Sequence, residues 1–516
     1  MFEKTSVVVV GSGAAGLCAA LAAAVAGAAV TVLEGSPKWG GATAVSGGQV
    51  WAPGNHHTAD NPEDALTYVL GRTQGRSPAM AAAFVRAAPL MVRFLERHTP
   101  IRFTPMDAPD SFAEAPGGRA GGRNLEVEPV SLGDLGDPDD LFWPPPFFQP
   151  VLTNAEIMEF GLMAGGTPPF AVMKRRQAAG QVTLGQGLVA GLLHGCREAG
   201  VELLRDHRVT GLLPEGGVRV GDREFPAPAV VLATGGFEHD AELRERLLDG
   251  PYDQPLSPPV NRGDALRLAD GAAVDFVSES WSWPASAGPT TWPDGTARPV
   301  LMLSERMLPH VIWVNAAGRR FVNESSHNAA LAFAETDPGT GLPRNTPAWA
   351  IADAQFRARY AFAGAAPGQP LPSHVIQAPT LADLAAKTGI DSAQLAATVQ
   401  SFNAHAEKGD DPDFGRGIAA YDHYWGDRAA PHPNLGTIAE PPFCALPVLP
   451  GLVGTKGGLR TDTDARVLRW NGQPIPGLFA AGNAMAAVIG PAIISPGATI
   501  GSALAWGWIA GTAACV

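Results

Sequence analysis

Cysteine and tyrosine are the scarce residues of this chain, four and five respectively in 516. Cys18, Cys196, Cys444 and Cys515 include no pair at CxxC spacing. That excludes a secreted disulfide framework and a cysteine-ligated zinc site, and a reducing cytoplasm is the expected location. Positive charge is also short. Lys and Arg total 37 against 50 Asp and Glu, a net charge of −13, and the densest basic run is Lys174-Arg175-Arg176. A nucleic-acid binder needs a cationic stripe, so that class of partner is excluded. No basic segment precedes the first apolar run, so no secretory signal is expected. Residues 14–33 have the length of a membrane span, but they are rich in Ala and Gly and read as a buried helix followed by a strand. No membrane span is expected. What is plentiful is apolar material: 46% AVILMFWYC against 17% charged residues, enough for two or three globular domains.

Val7-Val8-Val9-Val10 is a β-branched run suited to a strand buried on both faces. Gly11-Ser12-Gly13-Ala14-Ala15-Gly16 follows at once, then an Ala/Leu helix, a stop at Gly27 and a second strand ending in Glu34. Each part has a physical reason. Gly11 permits the tight turn, Gly13 lets backbone approach a pyrophosphate, and Gly16 lets helix and strand pack closely. The helix N-terminus offers free N–H groups to the phosphates, and Glu34 can accept from ribose hydroxyls. An acidic strand end argues against a 2′-phosphate.

Three further segments point to FAD rather than NAD. Gly40-Gly41-Ala42-Thr43-Ala44-Val45-Ser46-Gly47-Gly48 permits backbone to lie against a flat ring or a phosphate. Val230 to Leu232 is a strand entering Ala233-Thr234-Gly235-Gly236. Near the C-terminus a strand runs into Gly482-Asn483, and Pro496-Gly497-Ala498-Thr499-Ile500-Gly501 opens a last apolar helix. That helix N-terminus can stabilise negative charge at flavin N1 and O2.

With EAPGGRAGGR, NRGDALRLA, NAAGRRFVNES and GTKGGLRTD, these segments resemble the fumarate reductase and succinate dehydrogenase flavoprotein superfamily, and within it the 3-ketosteroid Δ1-dehydrogenases. The shared pieces run from Val7 to Gly501. The resemblance implies an α/β fold: a doubly wound, Rossmann-like FAD domain from both chain ends (1–284 with 449–516) and an inserted α+β substrate domain (285–448). It adds Val209 and Asp264 to the cofactor set. It implies hydride transfer between flavin N5 and an apolar cyclic or steroid-like carbonyl compound, as desaturation or the reverse enone reduction, with an electron acceptor left unidentified.

The chain departs from that pattern at the chemistry. Ketosteroid dehydrogenases carry active-site tyrosines, whereas Asn328 stands at the position of the base, Ile493 at that of the ketone binder, and Ser111-Phe112 before the PGG segment. The fumarate reductase pattern also fails, with Gly454 at its histidine's place and no Arg between Gly482 and Gly501. A phenol exchanges a proton; an amide and an alkyl group do not. His327 is a candidate proton shuttle or a hydrogen-bonded loop histidine. Asn328 can orient a carbonyl or cap a helix, and Ser495 can touch substrate or flavin or cap the final helix. Arg306 reads as a surface ion pair or, with His310, as a cleft residue. Adjacent His56 and His57 are expected to point apart and share no metal. Trp281, Trp283, Trp292 and the group Phe142, Trp143, Phe147 and Phe148 are candidates for an apolar lining or for packing. The alternative to the oxidoreductase is a flavin-binding protein of the same fold with diverged chemistry.

Overall fold

The computed structural model describes residues 6–145, 149–292 and 295–516; Phe147 and Phe148 lie outside the described residues. The valine run forms the strand Ser6–Val10, flanked by two parallel neighbours, Ala29–Leu33 and Ala229–Leu232. The six-stranded sheet continues outward to Glu202–Leu204 on one side and to Pro474–Ala480 and Arg466–Leu468 on the other. Its parallel central strands are covered on both faces, which is why they read as unbroken apolar runs.

The two chain ends meet at this sheet. The helix Ala14–Val25 packs along the final helix Ala498–Ala513 at a spacing only glycine allows. A Cβ on Gly507 would lie 2.3 Å from the Ala15 carbonyl oxygen, and one on Gly511 would lie 2.1 Å from that of Ala19. Strand Pro474–Ala480 then pairs in parallel with Ala229–Leu232, so the segment after Gly482 is delivered beside the first glycine turn.

A second sheet runs in the order Ala297–Leu301, Ser280–Thr291, Phe443–Thr455, Ala348–Ala352, Val311–Asn315. The long strand Phe443–Thr455 pairs with Ser280–Thr291 at one end and with Ala348–Ala352 at the other. Beside it lies a buried ion network. Arg320 binds Glu324 at 2.8 Å and Asp411 at 2.7 Å, and Arg416 approaches Glu324 at 3.3 Å. Glu324 is held below the ordinary carboxylate range by these two guanidiniums acting against its own burial. The architecture is the expected Rossmann-like α/β FAD domain carrying an inserted α+β domain. One helix among the described residues, Pro78–His98, is long and apolar enough to cross a membrane; half of its most apolar window is buried inside the protein.

Candidate functional site

A single cleft runs from the first glycine turn to the second sheet. Gly11 has φ +103°, and a Cβ there would lie 2.4 Å from the Ala233 carbonyl oxygen. Gly13 differs: a Cβ would meet only Thr43 Oγ1 at 3.7 Å and the Gly40 oxygen at 4.0 Å, so the space beside it belongs to the cleft. Gly13 caps the helix Ala14–Val25 with no side-chain cap. The N–H groups of the first turn are therefore available to an anion, apart from that of Ala14, which donates to Thr43 Oγ1 at 3.1 Å.

Glu34 is 7% exposed and steers the turn as well as lining the cleft. Its Oε2 accepts from Ser12 N at 3.0 Å and Ser12 Oγ at 2.6 Å, and its Oε1 accepts from Ser36 N at 2.9 Å. A carboxylate has about four acceptor sites, so lone pairs remain for a ribose. Ser12 Oγ in turn accepts from Gly40 N at 3.0 Å, tying the phosphate turn to the GGATAVSGG segment. Gly41, Ala42, Thr43, Ser46, Gly47 and Gly48 border the cleft. Gly48, at φ +65°, leaves no room for a side chain against Leu184.

The other expected cofactor residues on the cleft are Ala14, Ala15, Val209, Ala233, Thr234, Gly235, Asp264, Gly482, Asn483, Gly497, Thr499 and Ile500. Asp264 is paired with Arg208 at 2.7 Å. The final helix begins at Gly497 (φ +74°) without a side-chain cap, so a second uncapped helix N-terminus meets the cleft.

Five expected residues stand behind the lining. Gly16 serves packing, since a Cβ would sit 1.9 Å from the Gly11 oxygen. Gly40 is the left-handed cap of a short helix, and Ala498 is buried. Gly236 is pressed against Thr455 and Glu238. Asn328 is the fifth. Its Nδ2 donates to the Ile493 oxygen at 3.0 Å, and its Oδ1 accepts from Ile493 N at 2.6 Å. The amide is thus engaged by backbone and holds the loop ahead of the final helix.

His327 and Ser495 do line the cleft. Ser495 is fully buried and accepts from Asn124 Nδ2 at 3.0 Å. His327 is more telling. Nδ1 lies 2.6 Å from Ser111 Oγ, the ring stacks on Tyr421 at 4.7 Å, and it meets Trp283 edge-on at 5.3 Å. Among the described residues none hydrogen-bonds Nε2. Burial, reinforced by Arg306, holds this imidazole well below its ordinary pKa, so it is neutral at neutral pH.

Arg306 is not a surface ion pair. It is fully buried, donates to the carbonyls of Glu324, Ser325 and Ser326, lies 4.6 Å over the Trp283 ring, and reaches Tyr421 OH at 3.3 Å. Tyr421 is pushed up to about 12 by burial, with Arg306 acting in the opposite sense. His310 turns away and donates through Nδ1–H to the Thr437 carbonyl. Phe142 and Trp281 both belong to the core around the six-stranded sheet, and Trp143 meets Trp292 edge-on. Of the described members of the expected aromatic group, only Trp283 lines the cleft.

Tyr421 and Trp425 had no signal in the sequence, and Ser111 stood out only as part of the Ser111-Phe112 departure before the PGG segment. Lys456 was visible only as a departure from pattern. It is fully buried, 4.1 Å over Trp281, and donates to the carbonyls of Gly490, Pro491 and Ala492, with burial pulling its pKa down to about 7. His56 and His57, expected to point apart, instead both aim Nε2 at Glu96, 3.0 Å each. They sit in a turn rather than a strand, where alternation does not apply.

The donor set fits FAD. Open space beside Gly13 and an uncapped helix suit a diphosphate, a buried carboxylate suits ribose hydroxyls, and a second uncapped helix suits an electron-rich ring. Residues 6–500 match the family described as FAD binding domain. The chain is 38% identical to the 3-oxosteroid 1-dehydrogenase of Mycobacterium tuberculosis, over 98% of each chain. It is 39% identical to the 4-oxocyclohexanecarboxylate 2-dehydrogenase of Sinomonas cyclohexanicum, over 98% of this chain and 92% of that one. The structure of 3-ketosteroid Δ1-dehydrogenase from Sterolibacterium denitrificans in complex with 1,4-androstadiene-3,17-dione superposes with a TM-score of 0.90 at 32% identity, covering 99% of this chain and 100% of that one. The chain therefore belongs to the FAD-binding family that includes the 3-oxosteroid 1-dehydrogenases, and it is an FAD-dependent oxidoreductase acting on CH–CH groups.

Proposed function

We propose that this enzyme desaturates an uncharged, steroid-like cyclic ketone next to its carbonyl, with His327 as the proton acceptor; enone reduction is the same path in reverse. FAD held at the Gly11–Gly16 turn and the final helix would supply a hydride acceptor at its N5. The protein's task is to remove the α proton and to hold the charge that develops on the ketone oxygen. One observation carries the reading: a neutral imidazole on the cleft, fixed through Nδ1 by Ser111 and stacked on Tyr421. When Nδ1–H donates to Ser111, Nε2 presents a lone pair to the substrate. Tyr421 OH accepts from Arg306 and keeps a proton to donate to the ketone oxygen. The buried Arg306 charge behind it favours the developing enolate.

Charge selects the substrate. Around His327 the cleft is walled by Ile157, Met163, Trp283, Leu303, Met307 and Trp425. Among the described lining residues the one cation is Arg208, already paired with Asp264 at the Glu34 end. A carboxylate on the ring has no partner there, which favours a 3-oxosteroid over 4-oxocyclohexanecarboxylate. The four unpaired cysteines support a reducing, cytoplasmic setting.

The test is anaerobic bleaching of the flavin by a panel of both compound types. A 3-oxosteroid is expected to bleach it with kcat/KM at least tenfold above the carboxylate. No bleaching by any cyclic ketone, and no reductive turnover of the enones, would leave the diverged flavoprotein as the answer.

A further inference from the structure

On the outer side of the FAD domain, away from the cleft, two neighbouring histidines and a glutamate converge. His56 and His57 lie in the turn after Trp51, and Glu96 lies on the helix Pro78–His98. The two imidazole centroids are 4.2 Å apart. His56 Nε2 is 3.0 Å from one oxygen of Glu96, and His57 Nε2 is 3.0 Å from the other. The three ligand atoms all lie within 4.8 Å of one another.

Hydrogen bonding of the carboxylate does not require this. Glu96 Oε1 already accepts from Phe103 N at 3.1 Å and is met by His57. A second imidazole brought against the first, presenting the same nitrogen, adds a contact that would repel if both rings were protonated. Donors around a tetrahedral ion with bonds of about 2.0–2.1 Å stand roughly 3.3 Å apart. Each imidazole–carboxylate spacing is 3.0 Å, close to that value, and all three donor atoms lie within 4.8 Å of one another. Second contacts hold the donors: Asn55 Oδ1 accepts from His57 N at 3.0 Å, and Asn55 Nδ2 donates to Ala52 and Gly122 carbonyls, 2.9 Å each.

We propose that His56, His57 and Glu96 form a site for a divalent transition-metal ion of the zinc class, with solvent completing its coordination. Two imidazoles and one carboxylate suit zinc, cobalt and nickel rather than magnesium or calcium. The site's role is structural. The ion clamps the turn 52–58 to the end of the long helix. That turn continues from Trp51, whose N–H donates to the Gly497 oxygen at 3.1 Å beside the final helix.

The experiment uses the holoprotein stripped with a chelator and desalted, then titrated with Zn2+ and with Co2+. One equivalent of Zn2+ per chain is expected at micromolar free metal, with a rise in Tm and a Co2+ visible spectrum of low-coordinate nitrogen and oxygen ligation. His57→Ala and Glu96→Gln should each weaken Zn2+ binding at least tenfold while the flavin spectrum stays unchanged. His405→Ala, at a surface histidine elsewhere, should bind as wild type does. Failure of the wild type to bind, or equal binding by Glu96→Gln, overturns the site.

Discussion

Gly13→Ala separates cofactor binding from folding. The backbone at Gly13 has φ −67° and ψ 179°, which any residue adopts. An added Cβ would have no protein atom closer than 3.7 Å. The apo protein should therefore keep its stability to within about 1 kcal/mol. The methyl group instead occupies the space through which a diphosphate reaches the N–H groups of the helix Ala14–Val25. Losing one charge-assisted hydrogen bond costs about 1.5–3 kcal/mol, which is roughly a 10- to 150-fold loss of FAD affinity. Titration of deflavinated protein with FAD, followed by flavin fluorescence, reads the affinity; thermal unfolding of the apo form reads the fold. Gly16→Ala is the contrasting control, because its Cβ would overlap the Gly11 oxygen at 1.9 Å and should compromise folding itself. If Gly13→Ala binds FAD within twofold of wild type, the diphosphate does not lie on this turn.

Three other changes probe separate parts of the account. Tyr421→Phe should lower the rate of substrate-driven flavin reduction by about 10²- to 10³-fold at unchanged FAD affinity, since it removes a donor to the developing oxyanion; a wild-type rate removes Tyr421 from the mechanism. Glu324→Ala leaves the buried Arg416 without its carboxylate contact and Arg320 with Asp411 alone, and should cost about 3–5 kcal/mol, visible as a Tm lower by roughly 3–5 °C; an unchanged Tm contradicts the network's role. Lys456 sets a pH dependence. Its folded pKa of about 7 lies below the unfolded value of about 10.4, so the unfolded chain binds the extra proton between them. Folding stability should then rise with pH across that window, by at most about 1.4 kcal/mol per unit. Denaturation of wild type and Lys456→Met at pH 7.5, 8.5 and 9.5 should show the slope reduced in the variant, and equal slopes refute it.

The cofactor half of the site was legible because its signal is local. The strand, the turn, the helix and Glu34 are consecutive in the chain, and each glycine there answers a backbone requirement that composition alone betrays. The substrate half was not. Ser111 meets His327, and Arg306 meets Tyr421, through the folding of distant segments on to one another. A residue's spacing carries no trace of such a contact. Arg306 reads as a surface charge because an arginine next to a glutamate usually is one; burial came from the carbonyls of 324–326, which no sequence pattern announces. Asn328, expected to orient a carbonyl or cap a helix, instead stands behind the cleft lining with both ends of its amide on the Ile493 backbone. The His56-His57 pair was misjudged by applying strand alternation to residues that sit in a turn.

The central claim is that the imidazole of His327 does the work of a tyrosine base. Anaerobic stopped-flow reduction of the bound flavin by a 3-oxosteroid tests it most directly, with wild type and His327→Ala compared at saturating substrate. The account predicts that the variant binds FAD and steroid normally but reduces the flavin about 10²- to 10⁴-fold more slowly. Flavin reduction at the wild-type rate in His327→Ala would contradict it.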